Sequence, residues 1–66
     1  MMEKKYIKSG RKYLHQRTIK RNGNERKVQR WEKCKEVSEN GATFEYENDI
    51  YFLSNEKIRK EIIDMA

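Results

Sequence analysis

Proline is absent from these 66 residues, and cysteine, histidine and tryptophan occur once each. Without proline no strand or helix is forcibly interrupted, but no activity is excluded. The single Cys34 excludes an intramolecular disulfide and any thiolate-rich zinc site; it reads as a half-buried thiol in a reducing cytosol. The single His15 has neither a second histidine nor a spaced thiol to work with. It reads as a surface or phosphate-facing ring in a basic run. Three isolated glycines make no phosphate-cradling loop. Behind Met1-Met2-Glu3-Lys4-Lys5 there is no apolar segment of the signal-peptide kind, and no hydrophobic run approaches the length of a membrane span. These absences lead to the expectation of a single cytoplasmic domain over residues 1–66, non-enzymatic, with no metal, no cofactor and no membrane partner.

What is present is charge, unevenly placed. Only 35% of the residues are hydrophobic and 41% are charged, yet seven aromatics argue for a folded chain with a thin core. Residues 1–35 carry 13 Lys/Arg against 3 acids, whereas residues 36–66 carry 3 Lys/Arg against 8 acids. No acid interrupts Lys4 to Asn24. A segment of that kind repels itself unless an anion covers it.

The folding core is expected in the stretch 40–65. Thr43–Glu47 and Ile50–Leu53 read as two strands. With Asn48-Asp49 as a two-residue loop, Tyr46 would lie opposite Tyr51 and Phe44 opposite Leu53. A helix is expected from Asn55 to Met65, with Ser54 as N-cap, Glu56 in the first turn and Ile58, Ile62 and Met65 along one stripe. Phe44, Tyr46, Leu53, Ile58 and Ile62 are the expected core. Residues 1–5 read as a frayed basic end, and Ser9-Gly10 as a break.

Glu25–Val37 decides the fold class. Asn22-Gly23 is a strong hairpin signal, which would pair Arg11–Arg21 with Glu25–Val37, and Asn40-Gly41 would turn the chain again. The result is an α+β fold, a small antiparallel meander (an SH3-like barrel or half-open sheet) closed by a C-terminal helix. Val28, Trp31, Cys34 and Ser38 also fit helical spacing, which gives the alternative of a winged helix-turn-helix. In that alternative, Val28-Gln29-Arg30-Trp31 and Asp49-Ile50-Tyr51-Phe52-Leu53-Ser54-Asn55-Glu56-Lys57-Ile58 resemble the recognition helix and wing of small phage and transposon excisionases. That resemblance implies a helix in the major groove, although no first helix precedes residue 25. Thr43-Phe44-Glu45-Tyr46 and the tail Lys60–Met65 are similar to the last hairpin and helix of small archaeal chromatin barrels. Neither resemblance extends to a family assignment, and the two Asn-Gly turns favour the meander.

For function, the basic half points to DNA or RNA. Lys12, Arg17, Lys20, Arg21, Arg26, Lys27 and Arg30 are the expected phosphate contacts, on a two-stranded ribbon suited to a groove or a single strand. Trp31, Tyr13 and Tyr6 interleave with them as stacking candidates, but core packing of Trp31 against Phe44 or Leu53 is the stronger expectation. Glu45, Glu47 and Asp49 read as a solvated turn rather than a metal or acid–base site. A regulator from a phage or mobile element is the expected setting. The alternative is an inhibitor or adaptor that docks its charged faces on a host protein.

Overall fold

The structure is a computed structural model that describes residues 2–66. Four strands follow one another as a meander: β1 (Lys12–Arg21), β2 (Asn24–Ser38), β3 (Gly41–Tyr46) and β4 (Asp49–Ser54). A short helix, α1 (Asn55–Glu61), leads to a last strand, β5 (Ile62–Met65), which pairs antiparallel with β1. The sheet order is β4-β3-β2-β1-β5 and the sheet is not closed. No helix among the described residues is long and apolar enough to cross a membrane.

Local chemistry explains the first hairpin. Asn22 and Gly23 take φ of +52° and +80°, the left-handed pair that a two-residue turn between twisted strands requires. Arg21 then faces Asn24, and ten consecutive pairs run down to Lys12 opposite Lys33. Residues 25–39 therefore form a strand up to Ser38, and the recognition helix of the winged alternative is not formed. Helix-forming residues are overridden here because the strand is paired along its whole length by β1 or β3.

The later turns differ from expectation. The β3–β4 loop is Glu47-Asn48, with φ of +56° at Glu47, so Phe44 lies opposite Tyr51 and Ala42 opposite Leu53. Partners move by two residues relative to the expected register. Such a slip preserves the faces, and Phe44, Tyr46, Tyr51 and Leu53 still share one. Between β2 and β3 the turn is Glu39-Asn40, and Gly41 is already the first residue of β3. Its reason is close approach: a Cβ at Gly41 would lie 2.1 Å from the Leu53 carbonyl oxygen.

The helix stops at Glu61, short of the expected Met65. Ser54 does cap it, accepting the Lys57 N–H at 3.3 Å, and Ile58 points into the core. From Ile62 onward the chain completes the free edge of β1, a better use for consecutive β-branched residues than another helical turn. The core comprises Ile7, Tyr13, Cys34, Ala42, Phe44, Leu53, Ile58 and Ile62. Tyr46 is only half-buried, Met65 is exposed, and Cys34 is fully buried rather than half-buried. Residues 2–5 are tied down rather than frayed: Met2 packs on the core, and Lys4 Nζ donates to the carbonyls of Ser38 and Glu39 at 2.6 and 2.5 Å. Met1, also expected to fray, lies outside the described residues.

The two glycines should respond differently to alanine. Gly41→Ala must push the β4 backbone away and is expected to lower stability by more than about 2 kcal/mol, the upper range of overpacking. Gly23→Ala has open space around it but retains the positive φ, and should cost about 1 kcal/mol. Denaturant unfolding of both variants checks the order; equal losses would contradict the close approach at Gly41.

Candidate nucleic-acid interface

The pairing lengths create the site. β5 pairs with β1 only over Tyr13–His15, and β3 pairs with β2 only over Lys33–Ser38. Gln16–Arg21 and Asn24–Gln29 are therefore paired with each other alone and form a two-stranded ribbon beyond the sheet. Side chains alternate along it. On the face continuous with the core stand Arg17, Ile19 and Arg21 from β1, with Arg26, Val28 and Arg30 from β2. Register places Arg17 opposite Val28 and Ile19 opposite Arg26, so no two arginines oppose each other directly. Near the tip, Ile19, Arg21, Asn22, Asn24 and Arg26 line a shallow depression of about 320 Å³.

The other face of the ribbon and sheet differs in chemistry. It carries Lys12, Leu14, Gln16, Thr18 and Lys20 opposite Lys33, Trp31, Gln29, Lys27 and Glu25, respectively. Gln29 Nε2 donates to Gln16 Oε1 at 2.8 Å, which fixes that register in side chains as well as backbone. Trp31 is 46% exposed here, across from Leu14. The expected packing of Trp31 on Phe44 or Leu53 is not formed, because those side chains occupy the opposite face. Tyr13, a stacking candidate from sequence, is unavailable: it is buried edge-on against Phe44, and its hydroxyl donates to the Tyr6 carbonyl.

The eight residues expected to bind therefore divide. Arg17, Arg21 and Arg26 are exposed together on one face; Lys12, Lys20, Lys27 and Trp31 lie on the other. Arg30 stands at the root of the arginine row but is committed elsewhere. Its Nε is ion-paired with Glu32, and its guanidinium lies 4.2 Å from the Tyr46 ring centroid. Lys33, an expected contact only in the winged-helix alternative, stands on the face of Trp31, as period-two alternation places it.

Beneath the ribbon lies an ionic cluster that the sequence did not reveal. His15 is buried, contrary to the surface ring expected from its basic neighbours. Its Nδ1 is 2.9 Å from both Glu32 Oε1 and the Tyr51 hydroxyl, and its Nε2 is 2.7 Å from Glu61 Oε1. Ionised carboxylates only accept, so a ring flanked by Glu32 and Glu61 at both nitrogens is favoured in its imidazolium form. Burial opposes that charge, but hydrogen bonds to Glu32 and Glu61 and the field of both carboxylates outweigh it and raise the pKa. Burial likewise disfavours the Glu32 anion, yet the bonds from His15 and Arg30 prevail and lower its pKa. Two cations and two anions thus balance where β1, β2 and α1 meet. Glu47 and Asp49 are exposed at the β3–β4 tip, while Glu45 is half-buried and lies 3.6 Å from Lys35. No group of three or more metal-ligating side chains converges among the described residues.

The two shifts set a pH window. A raised histidine pKa contributes stability that is complete below the ordinary value of 6.5 and is lost as pH climbs through the folded value. A lowered Glu32 pKa contributes stability present above 4.5 and lost as pH falls through the folded value. Melting temperature should therefore fall as pH rises above 6.5, in step with the titration of the single histidine followed by NMR. A His15 pKa below 6.5 would contradict the imidazolium.

No family model matches the chain, and neither the curated proteins nor the solved structures contain a match.

Proposed function

We propose that this protein is a small non-enzymatic nucleic-acid-binding protein that holds the phosphate backbone with its basic β-ribbon. The observation that supports this most is the row Arg17, Arg21 and Arg26, three exposed guanidiniums on one face of a projecting ribbon. None of the three has an acidic side chain within ion-pair distance among the described residues. Guanidinium groups suit the geometry of phosphate, and each neutralised phosphate releases a counterion. Arg30, at the root of the row, is neutralised by Glu32 and offers no free fork. A two-stranded ribbon is narrow enough for the major groove of DNA, and it can equally follow an RNA strand. The meander with a helix before its last strand is consistent with a half-open SH3-like sheet, in which the ribbon is an elongated hairpin.

A second reading is favoured by a different surface. The β3–β4 tip sets the acids Glu47 and Asp49 beside Ile50 and Phe52, which are 60% and 53% exposed on the edge strand. An acidic tip with an apolar flank suits docking on a basic protein surface, the inhibitor or adaptor role.

Charge variants separate the two readings. Titrating labelled duplex and single-stranded oligonucleotides at low salt should give binding that weakens steeply as salt rises. The combined variant Arg17→Ala, Arg21→Ala, Arg26→Ala should lower the slope of log affinity against log salt by about 2–3, one unit or slightly less per phosphate contact. Glu47→Gln with Asp49→Asn should leave binding intact or strengthen it. Absence of any shift at micromolar protein would defeat the nucleic-acid reading and leave the acidic tip as the surface to pursue.

A further inference from the structure

We infer that the outer face of the sheet, around Trp31, binds an unpaired nucleic-acid strand by stacking a base on the indole. This rests on the nucleic-acid reading above but uses the face opposite the arginine row. Three observations converge on it. Trp31 is 46% exposed in the middle of a strand, where its only direct cross-strand neighbour on this face is Leu14. A large ring left half in water on a rigid sheet gains nothing for the core, which lies on the other side. Next along the ladder, Lys12 stands directly opposite Lys33, a like-charge pair that destabilises the sheet on its own. Neither lysine has a carboxylate within ion-pair distance among the described residues; Glu45, directly opposite Lys33 across the β2–β3 ladder, lies 3.6 Å from Lys35 instead. An anion between the two lysines removes that repulsion. On the other side of Trp31 lies the hydrogen-bonded pair Gln16–Gln29, followed by Lys27 opposite Thr18.

The order along β2 is therefore cation pair, aromatic ring, amide pair and cation, with successive same-face rows about 7 Å apart. Phosphates at Lys12/Lys33 and at Lys27 would bracket a base lying on Trp31. The side-chain amides of Gln16 and Gln29 keep free donor and acceptor positions for the edge of a neighbouring base. Exposed aromatic rings interleaved with cations are how proteins hold single strands, because every base has a face to stack while duplex bases are already stacked. A duplex can use the arginine row, but it cannot place a base on Trp31 without being opened. DNA and RNA strands share the chemistry recognised here, so the test includes both.

Trp31 is the only tryptophan, so its fluorescence reports on this face alone. Wild-type protein is titrated with short oligothymidylate, oligouridylate and a blunt duplex, following both emission and anisotropy of labelled strands. Quenching by the single strands, little quenching by the duplex, and roughly tenfold weaker single-strand binding by Trp31→Ala with duplex binding unchanged are expected. Trp31→Phe, which keeps a stacking ring, should retain most of the single-strand affinity, and Lys12→Ala should weaken single strands more than duplex. If wild type binds single strands without quenching, or if Trp31→Ala binds them as tightly as wild type does, the inference is overturned while the ribbon reading stands. If no oligonucleotide binds at all, the ribbon reading fails and the inference with it.

Discussion

The buried imidazolium of His15 is the constraint on which the arrangement of the other elements depends. A charge in that position is tolerable only while Glu32 and Glu61 both reach it, and they come from β2 and α1. Tyr51, from β4, closes the third side with its hydroxyl and stacks its ring near the imidazole. Arg30 then neutralises the second oxygen of Glu32 and lies over Tyr46 of β3. One ionic cluster thus touches every element of the meander and fixes where the short helix docks. With eight buried hydrophobic side chains among the described residues, the apolar core alone specifies that position weakly. The helix must sit where Glu61 meets Nε2, and β5 follows from there.

The same cluster separates structure from recognition. Its cations are internally compensated, so the net positive charge of the N-terminal half is expressed on the ribbon and the outer face rather than inside. Alternation along β1 and β2 then divides that charge by chemistry, with arginines beside Ile19 and Val28 on one face and lysines beside Trp31 on the other. Guanidinium forks and ammonium groups are not equivalent as hydrogen-bond donors, so the two faces differ in chemistry as well as in direction.

Legibility from sequence followed the range of each interaction. Asn22-Gly23 and Ser54 act through their own backbone and immediate neighbours, and both the first hairpin and the helix start were readable from them. The strand character of residues 25–37 was readable from the hairpin signal, against helix-forming composition. The burial of His15 was not, because it is set by Glu61, 46 residues away in the chain, and by Tyr51 on a strand it does not pair with. The helix end was misplaced for the same reason: Ile62 and Ile63 suit a helix stripe until the free edge of β1 offers them a ladder. For Trp31, core packing against Phe44 or Leu53 was the stronger expectation and stacking the weaker. Its parity with Gln29 and Lys33, opposite to that of Cys34, was the available signal that it faces outward. Gly41 was read as turn chemistry, whereas its need arises from a carbonyl on a strand that follows it.

The length of β2 has a geometric consequence. Its 15 residues have a contour of about 46 Å at the usual strand rise, against a longest molecular dimension of 35 Å. The strand cannot run straight along that dimension, and the register shift between Cys34 and Glu36 is a bulge of the kind that bends a strand and increases its twist. Surface normals at its two ends therefore point in different directions. A stiff, rod-like ligand can be tangent to such a curved strip over only a short arc, whereas a flexible polymer can follow its whole length. The bend in a single strand thus limits the arc over which any straight body can touch this surface.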